Sequence, residues 1–258
     1  MSFLSFLGPY FELAAQLVMP WLFMGYAALH IPRAIYDTVR NGQWSNFSSP
    51  YNFSDAIFAT FWTTIGPQIK QDCLPTTLPL LQGRMKNGRV VDDPAYPPIH
   101  GIVMEVGAGS GMWLDVLQGI RDEQVASSTT GHDNKGSHRS SQLKITNIYG
   151  VEPNSKSNKA LQKRVDDLGF GEYQVVPVGI EDVTDSSKWN GYIAPGSIDC
   201  VITQSCLCSI PEPEKNIRLL YSLLKPGGYW YMSEHVQQER GGFLLSLYQR
   251  KCTNHVSL

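Results

Sequence analysis

The chain has 258 residues, room for one large domain or for one domain with an appendage. Its 21 Lys and Arg against 23 Asp and Glu leave a formal net charge of −2, which excludes the strongly basic face of a nucleic-acid binder. A hydrophobic content of 42% suffices for a sizeable core, and five cysteines, an odd number without framework spacing, suit reduced thiols in a cytosolic compartment.

The apolar outlier lies at the N-terminus, where "LAAQLVMPWLFMGYAALHIP" carries no formal charge between Glu12 and Arg33. As a helix it is just long enough to span a bilayer, but Gln16, Pro20 and His30 disfavour insertion. Pro9 and Pro20 can split residues 3–30 into two shorter helices lying in the interface. A secretory signal fits poorly, because no basic residue precedes the apolar part. Two alternatives stand: membrane contact through residues 3–32, spanning or interfacial, and a buried lid helix over a pocket. If the segment spans, Arg33, Arg40, Lys70 and Arg84 all follow it and keep the main domain cytoplasmic. The expected organisation is a hydrophobic helical segment (1–40), a helical linker or cap (41–95), a main domain (96–236) and a short tail (237–258).

Asp55 is placed to cap a helix through "AIFATFWTTIG", stopped at Gly66-Pro67, with Phe58, Phe61, Trp62 and Ile65 at core spacing. The prolines of "LPTTLPLLQG" permit only short helical turns, and "DDPAYPPIHG" reads as a domain entry near residue 95. From there strands and helices alternate. "GIVMEV" (101–106) suits a buried parallel strand, and "GMWLDVLQGI" (111–120) an amphipathic helix. "EQVASSTTGHDNKGSHRSSQ" (123–142) has no apolar period and is expected to be a disordered insertion, with His132 and His138 solvated. "KITNIYGVEP" (144–153) is the second strand. "SKSNKALQKRVDDLG" (155–169) is a capped helix closed by Gly169. "YQVVPVG" (173–179) is the third strand, and the fourth lies within 197–210. A helix over 212–228 ends at Pro226-Gly227-Gly228, and "YWYMSEHV" (229–236) is the fifth strand. This order implies an α/β fold with a doubly wound parallel sheet.

In such a sheet the ligand sits outside the carboxyl ends of the strands, where strand order reverses. The turn after the first strand is the candidate. A dinucleotide fingerprint fits Gly107 and Gly109 but ends on Met112, too large for close helix–strand contact. A triphosphate loop fails because no Gly-Lys-Ser/Thr follows. The pattern present is acid-x-Gly-x-Gly-x-Gly: Glu105, Gly107, Gly109 and Gly111, with Ala108 between. Glycines let a ligand approach the backbone without side-chain obstruction.

"EVGAGSG" resembles motif I of class I S-adenosylmethionine-dependent methyltransferases, whose Rossmann-like fold binds S-adenosyl-L-methionine. The resemblance implies that the turn approaches the methionine end of the cofactor and that Glu105 fixes the loop and a nearby amino group. It places Glu152, ending the second strand, on both ribose hydroxyls, a task suited to two acceptor oxygens. Glu181 or Asp182, in "GIEDV", falls where the family contacts the adenine amino group. Gln204 ends the fourth strand beside the expected methyl-transfer site. His235 is the candidate general base, with an ordinary pKa near neutrality; the alternative is a structural Glu-His pair bonded to the neighbouring loop. Cys206 and Cys208 lack a second pair, so no metal site is expected, and apolar filling is their role.

"IYGVEPN" and "QSCLCSIPEPEKNIRLLYSLLKPGGYWYMSEHV" look like membrane-associated thiol methyltransferases of animals. They look still more like fungal methyltransferases with an N-terminal hydrophobic segment, several of them in secondary-metabolite clusters. That likeness implies a small-molecule acceptor with an N, O or S nucleophile. It also implies a cytoplasmic catalytic domain anchored at an endoplasmic reticulum or lipid-droplet surface. The family ordinarily continues past the fifth strand through a helix and two more strands, so the domain is expected to be truncated there. The fifth strand then forms an open edge needing a partner or self-association. A catalytically inactive cofactor-binding or membrane-associated interaction protein is the alternative from another functional class. A Rossmann oxidoreductase is disfavoured by Met112.

Overall fold

The computed structural model describes residues 18, 21–22, 24–129 and 143–234. The chain forms two compact units, the second running Ile65–Glu234. In the first, the described residues between 18 and 28 are helical. Helix α1 (Ile31–Arg40), with Pro32 in its first turn, buries Ala34 and Thr38. The His30 ring packs edge-on against Phe61 at 5.6 Å. Among the described residues no helix is long and apolar enough to cross a membrane.

Helix α2 (Pro50–Leu81) corrects the expectation of a helix that starts at Asp55 and stops at Gly66-Pro67. It runs through Pro67, Pro75 and Pro79 without a break. Each proline deprives the carbonyl four residues earlier of its N–H partner. Pro67 and Pro75, however, lie on the exposed side, as do Thr63 and Gln71, whose carbonyls lose their donors. Water can satisfy those groups, so the solvent face tolerates what a buried face would not. Residues 65–95, assigned from sequence to a helical linker or cap, belong to the second unit, where Leu81 is fully buried, as is Ile99 just beyond them. Between them, Asn87 and Gly88 adopt positive φ and close a short hairpin of β1 (Met85–Lys86) and β2 (Arg89–Val90).

Five parallel strands make the main sheet: β3 (Gly101–Val106), β4 (Ile145–Val151), β5 (Tyr173–Val176), β6 (Ile198–Gln204) and β7 (Leu224–Ser233). Their spatial order is β5-β4-β3-β6-β7. Apolar residues on successive positions of β3 feed two cores, Val103 on one face and Met104 and Val106 on the other. Helices α3 (Leu114–Thr129) and α4 (Ser155–Leu168) cover the first face through Leu114, Leu117, Leu161 and Val165. Helix α5 (Pro213–Leu223) covers the second through Leu220 and Leu223. The sheet is therefore doubly wound.

Two further expectations are corrected. Helix α3 continues to Thr129, into the stretch read as a disordered insertion, because Gln124 anchors it: its amide donates to the Ile99 carbonyl (2.8 Å) and accepts from the Ile145 N–H (2.9 Å). Residues 130–142, with His132 and His138, lie outside the described residues. Pro226-Gly227-Gly228 does not end α5 but forms an irregularity inside β7, between the pairs Ile198–Leu224 and Cys200–Tyr229. Helix α4 matches its sequence reading. Its cap Asn154 accepts from the Lys156 and Ser157 N–H groups (both 2.9 Å), and Gly169 closes it with φ of 60°.

Candidate functional site

Strand β3 pairs with β4 on one side and β6 on the other, so strand order reverses at its carboxyl end. That is the crevice where doubly wound sheets bind ligands. The chain leaves β3 through Gly107, Gly109 and Gly111, with φ of 67°, 58° and 83°. Such values strain any residue with a Cβ. At Gly107 space forbids one as well: an added Cβ would lie 2.6 Å from the Cys206 Cβ. Gly107 itself is exposed, so a ligand can reach its backbone.

The turn is tied to β4. The N–H groups of Gly107 and Ala108 both donate to the Val151 carbonyl, at 3.0 and 3.1 Å. The next residue, Glu152, is buried, and its carboxylate joins turn and helix. Oε2 accepts from the Gly109 N–H and Oε1 from the Asn154 N–H, both at 2.8 Å. Glu152 thus braces the glycine turn, a role in addition to the ribose contact implied by resemblance.

Glu105, one strand over, is only 4% exposed, and its carboxyl accepts from the Tyr173 hydroxyl at 2.5 Å. Tyr173 reaches it from β5 across β4, which is possible because the intervening residue is Gly150: a Cβ there would meet the hydroxyl at 2.1 Å. Burial pushes the Glu105 pKa up to about 7; the Tyr173 hydrogen bond opposes this shift and the charge of Glu152 adds to it. Burial, followed by the charge of Glu105, raises the Tyr173 phenol.

Glu181 and Asp182 occupy a 3-10 turn (Ile180–Asp182) past β5, anchored by buried Ile180. The Glu181 carboxylate lies over Gly179.

At the other end, Gln204 closes β6. Both polar atoms of its amide are out of contact with solvent and have no hydrogen-bond partner among the described residues. A buried amide left this way costs about 1–3 kcal/mol per group, so native structures carry few of them. Ser205 follows at φ of 49°, its N–H bonded to the Ser233 carbonyl at 2.8 Å. Glu234 then accepts from the backbone N–H groups of Cys206 (3.3 Å) and Leu207 (3.2 Å). This holds the loop after β6 against Gly107. Burial and the neighbouring Glu234 push the Cys206 thiol far above its ordinary pKa, so it packs as a neutral apolar group. Cys208 is exposed. Among the described residues no three His, Cys, Asp or Glu gather to hold a metal. His235, the candidate base, lies outside the described residues.

The structure thus places Glu105, the glycine turn, Glu152 and Gln204 at the carboxyl ends of β3, β4 and β6, and Glu181 and Asp182 in the turn past β5. The residues present fit S-adenosylmethionine: an open glycine turn, a buried carboxylate beneath it and an unpartnered amide beside it. Sequence reasoning missed Tyr173, which acts from another strand, whereas the Glu234 bonds to the neighbouring loop match the alternative of a structural Glu-His pair for its acid. A glycine inside a strand is the signal that could have exposed the Tyr173 crossing.

A doubly wound sheet whose first strand enters a glycine turn braced by the acid of the second defines the class I methyltransferase fold. The methyltransferase-domain family matches residues 84–258, more than half of the chain, and the chain belongs to that family. Thiol S-methyltransferase TMT1B of Rattus norvegicus is 31% identical over 102 residues, 39% of this chain and 38% of its own length. Thiol S-methyltransferase TMT1A of Homo sapiens is 40% identical over 47 residues, 18% of this chain and 19% of its own. The chain therefore spans well under half the length of these curated relatives. Among solved structures, a Methanococcus maripaludis protein described as a candidate S-adenosyl-L-methionine-dependent methyltransferase resembles the chain. It covers 77% of this chain and 68% of its own, at 14% identity and a TM-score of 0.40.

Proposed function

We propose that the protein is an S-adenosylmethionine-dependent methyltransferase that methylates an N, O or S nucleophile of a small molecule. The observation that carries this is the glycine turn braced by Glu152 at the switch point of the sheet, with the unpartnered Gln204 amide beside it. When bound, the cofactor supplies a sulfonium methyl that an acceptor takes by in-line displacement. The chain's own contribution is to hold the partners in line and exclude water, which provides large effective molarities without a covalent intermediate.

A thiol is the acceptor class that these observations favour. The two curated relatives are named thiol S-methyltransferases. A thiol is partly ionised near neutral pH and needs little help from a base. His235 is the base for a less acidic acceptor. The likeness to fungal methyltransferases supports a role in secondary-metabolite biosynthesis. Membrane contact through residues 3–32 is supported by the exposure of Trp21, Leu22, Met24 and Leu29. It would place a cytoplasmic catalytic domain on an endoplasmic reticulum or lipid-droplet surface. Strand β7 ends the sheet among the described residues, which supports association with a partner or a second copy there.

The test is calorimetry with S-adenosylhomocysteine, followed by incubation with labelled S-adenosylmethionine and a panel of thiols, amines and phenols. Folded protein that fails to bind S-adenosylhomocysteine overturns the reading. Protein that binds it but methylates nothing in the panel selects the inactive alternative. A His235→Ala enzyme with near-full turnover removes the base role, and failure to co-sediment with phosphatidylcholine vesicles removes the membrane contact.

A further inference from the structure

Helix α1 is inverted relative to a helix on the surface of a water-soluble domain. Its buried positions are the small residues Ala34 and Thr38, while its large apolar side chains face outward: Ile35 is 39%, Tyr36 58% and Val39 48% exposed. At about 100° per residue, Ile35 and Val39 fall along one line of the helix and Arg33 and Arg40 along another, with Tyr36 between them. The helix thus carries an apolar stripe bordered by two arginines. Beyond it the chain folds back. The Gln43 N–H donates to the Thr38 carbonyl (2.9 Å) and the Asn46 amide to the Thr38 hydroxyl (3.2 Å). These bonds fix a 3-10 turn, Trp44–Phe47, whose two aromatic side chains are also exposed, their rings 6.3 Å apart.

Water is a poor solvent for such a face, and a lipid interface suits each of its parts. Tyr and Trp rings sit at headgroup level, aliphatic side chains reach the acyl boundary, and long arginine side chains extend to the phosphates. Neither guanidinium is strongly engaged within the protein. Arg40 lies over the Tyr36 ring at 5.9 Å, and Arg33 approaches Asp37 only to 4.0 Å. Helix α1 holds two cations against this one acid, which is half-buried, so charge complementarity selects an anionic surface. We propose that the outer face of α1 and the turn Trp44–Phe47 dock on a bilayer containing anionic phospholipid. Arg33 and Arg40 meet lipid phosphates, and Ile35, Val39, Trp44 and Phe47 enter the headgroup–acyl boundary. The proposal goes beyond the contact through residues 3–32, because it uses a different element and depends on lipid charge.

Vesicle co-sedimentation of the full chain tests it, comparing phosphatidylcholine with a mixture of phosphatidylcholine and phosphatidylserine. Phosphatidylserine is expected to tighten binding about tenfold at low salt, and the double change Arg33→Gln with Arg40→Gln to abolish that gain. In mixed vesicles whose phosphatidylcholine is brominated, tryptophan quenching should be smaller in Trp44→Phe than in the wild type. These changes fall on exposed side chains, where the fold tolerates them. Equal binding to the two vesicle types, a phosphatidylserine gain that survives in the double variant, or quenching unchanged in Trp44→Phe overturns the inference. Equal binding leaves the contact through residues 3–32 standing, whereas binding to the mixture alone removes that contact and supports the inference. If Val39→Ser splits a lipid-free oligomer while vesicle binding is unchanged, the face is a protein contact and the inference falls.

Discussion

The two halves of the crevice differ in how far their polar groups are already satisfied. On the β3–β4–β5 side the acids are engaged within the protein: Glu105 by Tyr173, and Glu152 by the N–H groups of Gly109 and Asn154. On the β6–β7 side the Gln204 amide is buried without a partner, beside a residue in the left-handed region. The first half is held together by the protein's own hydrogen bonds. The second leaves the Gln204 amide without a hydrogen-bond partner among the described residues, so the two halves differ in how far the protein satisfies its own polar groups.

The largest blow to the closed half is Glu152→Ala. It leaves two backbone N–H groups without their carboxylate and removes the proposed ribose acceptor, so S-adenosylhomocysteine binding should weaken roughly 100-fold by calorimetry. A loss below about tenfold would mean that the cradle does not depend on this brace.

Glu105 sharpens the same side through pH. Its folded pKa of about 7 lies above the ordinary 4.5, so the folded state holds a proton that the unfolded chain has released. Stability is therefore full below about pH 4.5 and falls as pH rises toward 7, by up to about 3 kcal/mol. Denaturant titrations across that window should show this slope in the wild type and its loss in Glu105→Gln. Tyr173→Phe, lacking the bond that opposes the shift, should carry the decline to higher pH.

Gly107→Ala attacks the joint between the halves. The positive φ alone costs about 1–2 kcal/mol, and the contact with the Cys206 Cβ adds to it. Cys206→Gly in the same chain should recover the second part, as read by denaturant midpoints. Glu234→Gln is the mildest change. It keeps one acceptor for the loop and should cost about 1 kcal/mol, with less effect on cofactor binding than Glu152→Ala.

Local chemistry was legible wherever it decides local structure. The apolar run 101–106 became β3, and Asn154 and Gly169 bound α4 as their side-chain chemistry requires. The prolines misled, because their cost depends on whether the freed carbonyls face water, and the solvent-facing side of α2 is not visible from spacing. Pro226-Gly227-Gly228 misled for a related reason: a sheet edge can absorb an irregularity that reads in isolation as a helix stop. Residues 105, 107, 109, 111, 152, 181, 182 and 204 could be placed from the sequence because each lies near or just past the carboxyl end of a strand. Their hydrogen-bond states were not.

The sequence by itself determined the order of strands and helices, the glycine turn and the acids beside it, because hydrophobic period, capping residues and glycine are properties of neighbours along the chain. Only the tertiary structure decided that Tyr173 crosses Gly150 to reach Glu105, that Glu152 braces the turn, that Glu234 anchors the loop on Gly107, and that Gln204 is left unpaired. Those are contacts between strands tens of residues apart. Burial, which sets both the Glu105 ionisation and the cost of an unmet amide, exists only once the sheet has assembled.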